Sequence, residues 1–158
     1  ETLQLFGLLL NFYADVVQHG PAVDHLIDVW PGMPAVFGRE LVALGNLSAA
    51  KKVDTTLVLL TPDDSAQSRQ IVEGLYRGRR NLDGYWWVDQ ESHQLMLLMP
   101  MTGPSSFESF LRRVEEWLAD DYAFASLAQA GVSYVHHSLD KRPVKVQIEE
   151  MLVEAGNG

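Results

Sequence analysis

The chain contains no cysteine. That absence excludes a disulfide scaffold, a thiolate zinc site and a cysteine nucleophile, and it leaves any metal binding to carboxylates and histidines. Positive charge is scarce too: 12 lysines and arginines stand against 21 aspartates and glutamates, for a formal net charge of −9. Such a surface repels the polyanionic backbone of DNA or RNA, so no nucleic-acid polymer is expected as a partner. An anionic ligand would have to be small and held locally. Long apolar runs are also missing. No stretch approaches the roughly 18 to 20 consecutive apolar residues of a membrane span, and no basic segment leads into a small-residue cleavage site. Internal repeats, low-complexity tracts, a glycine-rich phosphate loop and a nucleophile elbow are likewise absent from the sequence.

What is present is a length of 158 residues, 47% of them hydrophobic, which suits one domain with a proper core. The chain begins with Glu1 rather than Met, directly inside a periodic apolar pattern, so it is expected to be part of a longer protein. Leu3, Phe6, Leu10, Tyr13 and Val17 alternate at spacings of three and four, a heptad-like seam that ends at Gly20-Pro21. Leu5, Leu9, Phe12 and Val16 form a second stripe. A helix with two such stripes either covers its own core or packs on a partner helix or a neighbouring domain.

Downstream, the pattern predicts a short helix over 23–30, a break at Pro31-Gly32, and a helix over 34–49 with Val36, Phe37, Leu41, Val42 and Leu44 inward. Residues 53–60, VDTTLVLL, read as a strand buried on both faces. Thr61-Pro62-Asp63-Asp64 stops it and caps a helix over 65–77 that buries Ile71, Val72 and Leu75 and closes at Gly78. Strands over 85–88 and 94–99 form a hairpin around the polar turn DQESH. Ser105 followed by Glu108 is a capping-box pattern, opening a helix to 119 with Phe107, Phe110, Leu111, Val114, Trp117 and Leu118 on its apolar side. A strand over 132–136 and an amphipathic helix over 144–155 complete the chain. The expected class is α/β (α+β), one mixed sheet flanked by helices. Fold class alone does not disclose function.

His19, His25, His93, His136 and His137 show no paired-ligand spacing, and the adjacent pair on a strand points to opposite faces, so no shared metal is expected. Asp63-Asp64 and Asp120-Asp121 sit where helix caps and surface turns belong. Trp86 and Trp87 face opposite ways on a strand; either both are buried under helices or one is an exposed stacking surface. The remaining feature is Arg80-Asn81-Leu82-Asp83. Arg-x-x-Asp alone is equally a local ion pair. Its setting adds information: it lies between a helix and a hairpin, with Arg77 and Arg79 beside it and Arg112 and Arg113 on the helix that follows.

A helix, that Arg-x-x-Asp loop, a hairpin, a strand ending in Met99-Pro100 and a helix bearing Arg113 together resemble GGDEF domains, over residues 30–155. The resemblance implies a GGDEF-like mixed sheet over 21–158, preceded at 1–20 by a linker helix from an upstream domain. It also implies an inhibitory-type site for cyclic di-GMP made of Arg80, Asp83 and Arg113. Arg79 and Arg112 are further candidates; one inserted residue would exchange Arg112 for Arg113, and the helical register favours Arg113.

Departures from that family matter as much. Glu91-Ser92-His93-Gln94-Leu95 stands in place of the Gly-Gly-Asp/Glu-Glu-Phe turn, and Leu60-Thr61-Pro62-Asp63 in place of the metal-binding Leu-Asp-Ile-Asp. A cyclase needs two Mg²⁺ ions held by acidic ligands. The resemblance therefore implies no enzyme, no catalytic residue, no metal and no cofactor. A degenerate domain of this kind is similar to the receptor portion of the PelD family, which implies a cytoplasmic domain of an inner-membrane protein that regulates Pel exopolysaccharide synthesis and biofilm formation. The implied partners are cyclic di-GMP, proteins of a polysaccharide synthase or secretion complex, and a second copy through the N-terminal helix. BcsE-like cellulose regulators use a similar motif, so the pathway stays open. The alternative is a dimerisation or docking module without nucleotide binding.

The chemistry of the residues suits the implied ligand. A guanidinium pairs bidentately with guanine O6 and N7 or with a phosphate, while a carboxylate accepts from guanine N1 and N2. Arg80 and Arg113 would then read the ligand and Asp83 would accept from it. A net charge of −9 excludes polymers, yet one compact arginine cluster can still take a small cyclic dinucleotide.

Overall fold

The most apolar run of the chain becomes the middle of the molecule. In a computed structural model, which describes residues 20–51 and 53–157, β1 (Thr55–Pro62) is buried from Thr55 to Leu60. It is flanked by β3 (Gln94–Pro100) and β4 (Val132–Ser138), and β2 (Gly84–Asp89) forms the far edge, giving the order β2-β3-β1-β4. Helices α1 (Gly20–Val29), α2 (Ala35–Ala49), α3 (Ala66–Arg77), α4 (Pro104–Tyr122) and α5 (Val144–Asn157) cover both faces.

The two-residue period of the strands sorts the core into two halves. Leu57, Leu59, Met96, Leu98 and Trp86 pack with α1, α2 and α5 through Leu26, Phe37, Leu41 and Ile148. Val58, Leu60, Leu95, Leu97 and Met99 pack on the opposite face with α3 and α4 through Ile71, Val72, Phe107, Val114 and Leu118. This α+β arrangement is the expected class, with one correction. Every strand pairing is antiparallel, so the sheet is not mixed. The helical crossovers β1-α3-β2 and β3-α4-β4 each skip one position, so the strands they join run parallel but are separated by an antiparallel neighbour.

Several local expectations also change. Val36 is 56% exposed rather than inward, because α2 turns Phe37 and Leu41 to the sheet instead. The cap of α4 is Gly103, with no side-chain cap bond and Pro104 in the first turn, so Ser105 and Glu108 do not form a capping box. Proline's fixed φ suits the first helical position, and the N-cap lies two residues before Ser105. Asp63-Asp64 does not cap α3 directly. Ser65 does, accepting from the Ser68 amide, while Asp63 Oδ1 accepts from Ser65 N at 2.9 Å and from Ser68 Oγ at 2.7 Å. Those bonds, the Ser68 hydroxyl first, hold the Asp63 carboxyl below its ordinary range.

Both tryptophans lie under helices, on opposite faces. Trp86 packs against Trp30 and Phe37, and Trp87 against Tyr76. His136 stacks on Phe107 of α4 at 4.5 Å, whereas His137 Nε2 lies 2.7 Å from Gln147 Oε1 of α5. The apolar seam over 2–18 lies outside the described residues. Among those described, no helix is long and apolar enough to cross a membrane.

Candidate arginine-lined cleft between α3 and α4

Helix α3 ends at Gly78, and the chain turns at once into β2 through Arg80–Asp83, closed by a hydrogen bond from Asp83 N to Arg80 O at 3.0 Å. A β-turn brings its first and fourth residues together. The Arg-x-x-Asp spacing therefore makes a local ion pair as a matter of backbone geometry. Asp83 Oδ1 accepts from Arg80 Nε at 3.0 Å and from Nη2 at 2.8 Å, and Oδ2 accepts from the Arg80 amide at 3.0 Å. The Asp83 side chain is 3% exposed and the Arg80 side chain 47%.

Arg80 Nη2 also donates to Pro100 O at 2.9 Å and to Thr102 Oγ1 at 3.0 Å, tying this turn to the segment between β3 and α4. Thr102 is buried at the centre of that junction. Its hydroxyl donates to Pro100 O, its amide to Asp54 O, and its carbonyl accepts from Thr56 Oγ1 at 2.8 Å. Arg79 points a different way. Its guanidinium lies 4.2 Å from the Tyr76 ring centre and 4.6 Å from that of Tyr85, with Nη1 donating to Tyr76 O. Such cation–π contacts hold the charge in place without neutralising it. The Tyr85 phenol is pushed above its ordinary range, first by its hydrogen bond with Tyr76 and then by the electrostatic effect of that neighbour.

Across from α3, the face of α4 presents Ser106, Ser109, Phe110, Arg113, Val114 and Trp117, a stripe at spacings of three and one that shares one side of a helix. With Gly74, Leu75 and Gly78 of α3 and Met99 of β3, they enclose a cavity of about 670 Å³. Arg79, Arg80, Asp83 and Arg113 all line it. Arg112 does not, because the neighbouring position on the helix points to another side. Arg113 makes no hydrogen bond or ion pair with the described residues, and Arg77 lies 3.9 Å from Glu73 outside the cavity.

The cleft can thus offer one unengaged guanidinium from α4 and the Nη1 nitrogen of a second from the turn. Asp83 is nearly buried, and it already accepts three hydrogen bonds from Arg80. In this arrangement it orients Arg80. Thr102, Tyr76, Tyr85, Gly74 and the two serines of α4 belong to the same surroundings and were not singled out by sequence. The α4 stripe was visible as an apolar face including Phe110 and Trp117, but nothing local marks Thr102.

Residues 90–93 form the β2–β3 turn, with His93 in the left-handed region at φ 59°, and Gln94 and Leu95 open β3. Gln94 Nε2 donates to Thr61 Oγ1 at 3.1 Å, two neutral side chains bridging β3 and β1. No group of three or more histidine, cysteine or carboxylate side chains placed to hold a metal occurs among the described residues.

A family model described as the PelD GGDEF domain matches residues 31–155. No curated protein sequence matches the chain. Among solved structures, ligand-free PelD from Pseudomonas aeruginosa PA14 is 19% identical, with a TM-score of 0.64 over 76% of this chain and 44% of that one. PelD from Pseudomonas aeruginosa PAO1 in complex with c-di-GMP is 16% identical, with a TM-score of 0.62 over 75% of this chain and 42% of that one. Another PAO1 PelD structure is 20% identical, with a TM-score of 0.60 over 67% and 38%. The chain spans about two fifths of the length of these solved chains, and the likeness establishes a shared fold.

Proposed function

The chain belongs to the PelD GGDEF domain family, and from that premise we propose that it is a cyclic di-GMP receptor without cyclase activity. The observation that carries the reading is the cleft itself, which gathers Arg79, Arg80 and Arg113 from two elements around one cavity in a chain of net charge −9. Its volume lies within the range of small-molecule sites, roughly 300 to 1,000 Å³. Arg113 is the cation best able to pair bidentately with guanine O6 and N7 or with a phosphate. Arg80 adds its Nη1 nitrogen, held in place by Asp83, and Arg79 contributes positive potential from its tyrosine clamp. Further support comes from a structural relative, PelD of Pseudomonas aeruginosa, which was solved in complex with c-di-GMP.

Absence of catalysis is part of the same proposal, and two residues support it. Thr61 stands on β1 where a metal-binding carboxylate is needed, and its hydroxyl is bonded to Gln94. Asp63, two residues on, is committed to Ser65 N and Ser68 Oγ at the start of α3. In the wider protein, the domain would sit on the cytoplasmic side of the inner membrane and report cyclic di-GMP to a Pel-type polysaccharide synthase or secretion complex.

Calorimetric titration with cyclic di-GMP tests the reading. Arg80→Ala and Arg113→Ala are each expected to weaken binding about tenfold to a hundredfold, the worth of one good bidentate contact. No heat with the folded parent protein would sink the proposal. A second reading is favoured by one observation, the burial of Asp83 within its ion pair, which also suits a site that has become purely structural. On that reading the domain is a docking module: the dinucleotide has no effect, and both substitutions leave co-purification with the synthase proteins unchanged.

A further inference from the structure

Trp117 lies one turn beyond Arg113 on α4 and lines the same cavity. Its indole reaches across to α3, where a Cβ on Gly74 would stand 2.8 Å from Cη2 and 2.9 Å from Cζ2. Side chains do not approach that closely, so glycine at this position is what admits the ring. Glycine in a helix interior is destabilising relative to alanine, and here its missing side chain is replaced by the indole. Tyr122 packs edge-on against the same ring at 5.6 Å and 84°, which fixes its orientation. The residue is half-buried and lines the cavity.

We infer that Trp117 is a stacking wall for a guanine base of the ligand, admitted by Gly74 and placed so that Arg113 reads the edge of the stacked base. Residues four apart on a helix are neighbours about 5 to 6 Å apart. A planar base lying on the indole therefore presents its rim to the guanidinium one turn away. Stacking is tolerant of base identity, so selection of guanine stays with the arginine. The inference rests on the receptor reading above. Its structural rival is that Trp117 only packs α4 on α3, and the two differ in whether an aromatic face is needed.

The test is calorimetric titration of the intact chain with cyclic di-GMP, with tryptophan fluorescence followed in parallel, for Trp117→Phe, Trp117→Leu, Gly74→Ala and the Gly74→Ala, Trp117→Leu pair. Phenylalanine and leucine both fill apolar space, but only phenylalanine keeps a face for stacking. Trp117→Leu is expected to bind about 5-fold to 100-fold more weakly and Trp117→Phe within about threefold of the parent. Gly74→Ala displaces the ring and weakens binding too, whereas adding it to Trp117→Leu costs nothing further. Ligand-dependent quenching is smaller in Trp117→Phe than in the parent. If the parent binds and Trp117→Leu binds equally well, the stacking wall is overturned while the receptor reading stands. If the folded parent shows no binding, the receptor reading itself fails and the wall fails with it.

Discussion

Arg80 commits its Nε and Nη2 nitrogens inside the protein, to Asp83, Pro100 O and Thr102 Oγ1, and this decides what it can still give a ligand. An arginine so held loses little side-chain freedom on binding, because its plane is already set. The Arg-x-x-Asp pair was legible in sequence because a four-residue turn closes it locally. The acceptors on Pro100 and Thr102 were not legible, since they lie 20 and 22 residues away and only the packing of two turns brings them near. Thr102→Val removes one acceptor of Arg80 while keeping the shape of the side chain. It should weaken cyclic di-GMP binding about twofold to tenfold, the worth of one hydrogen bond, with Thr102→Ser close to the parent in the same titration. Equal affinities for the valine and serine variants would show that Asp83 and Pro100 O orient Arg80 without the Thr102 hydroxyl.

At the level of elements, α3 and α4 form the walls of the cleft, and each begins differently from the sequence pattern. The start of α3 depends on Ser65 and Asp63 together. Ser65→Ala should lower stability by about 1 kcal/mol, the usual worth of an N-cap, measured by chemical denaturation. The Asp63 carboxyl is held below its ordinary range in the folded state, so its contribution is present above the unfolded value near 3.9 and is lost as pH falls through the depressed folded value. Asp63→Asn should therefore be less stable than the parent at neutral pH, and the difference should close in acid. In α4, the helical period distinguishes Arg113 from Arg112. A face shared with Phe110, Val114 and Trp117 puts Arg113 in the cleft, and one residue's rotation carries Arg112 out of it.

Over the whole molecule, one sheet serves two cores. Leu59 faces α1, α2 and α5, while Leu60, beside it, faces α3 and α4. Neither layer can lose its contact with β1 without exposing the other side of the same strand. Leu59→Ala and Leu60→Ala should each cost about 2 to 5 kcal/mol, and each variant should unfold in one transition, with far-ultraviolet circular dichroism and tryptophan fluorescence coinciding. Separate transitions would mean that the two layers are independently stable. The cleft lies wholly on the α3 and α4 face, so the opposite layer acts on it only through the rigidity of the sheet.

The order of elements, the strand buried on both faces and the turn-closed Arg80–Asp83 pair were determined by the sequence itself. All of them depend on residue type and on spacings of a few residues. The antiparallel order of the strands, the engagement of Arg80 Nη2 by Pro100 and Thr102, the place of Thr102 and the entry of Trp117 against Gly74 were decided by the tertiary structure. Each joins groups far apart in the chain, and such contacts leave no local period to read. They exist because two crossovers interleave their strands and set α3 beside α4.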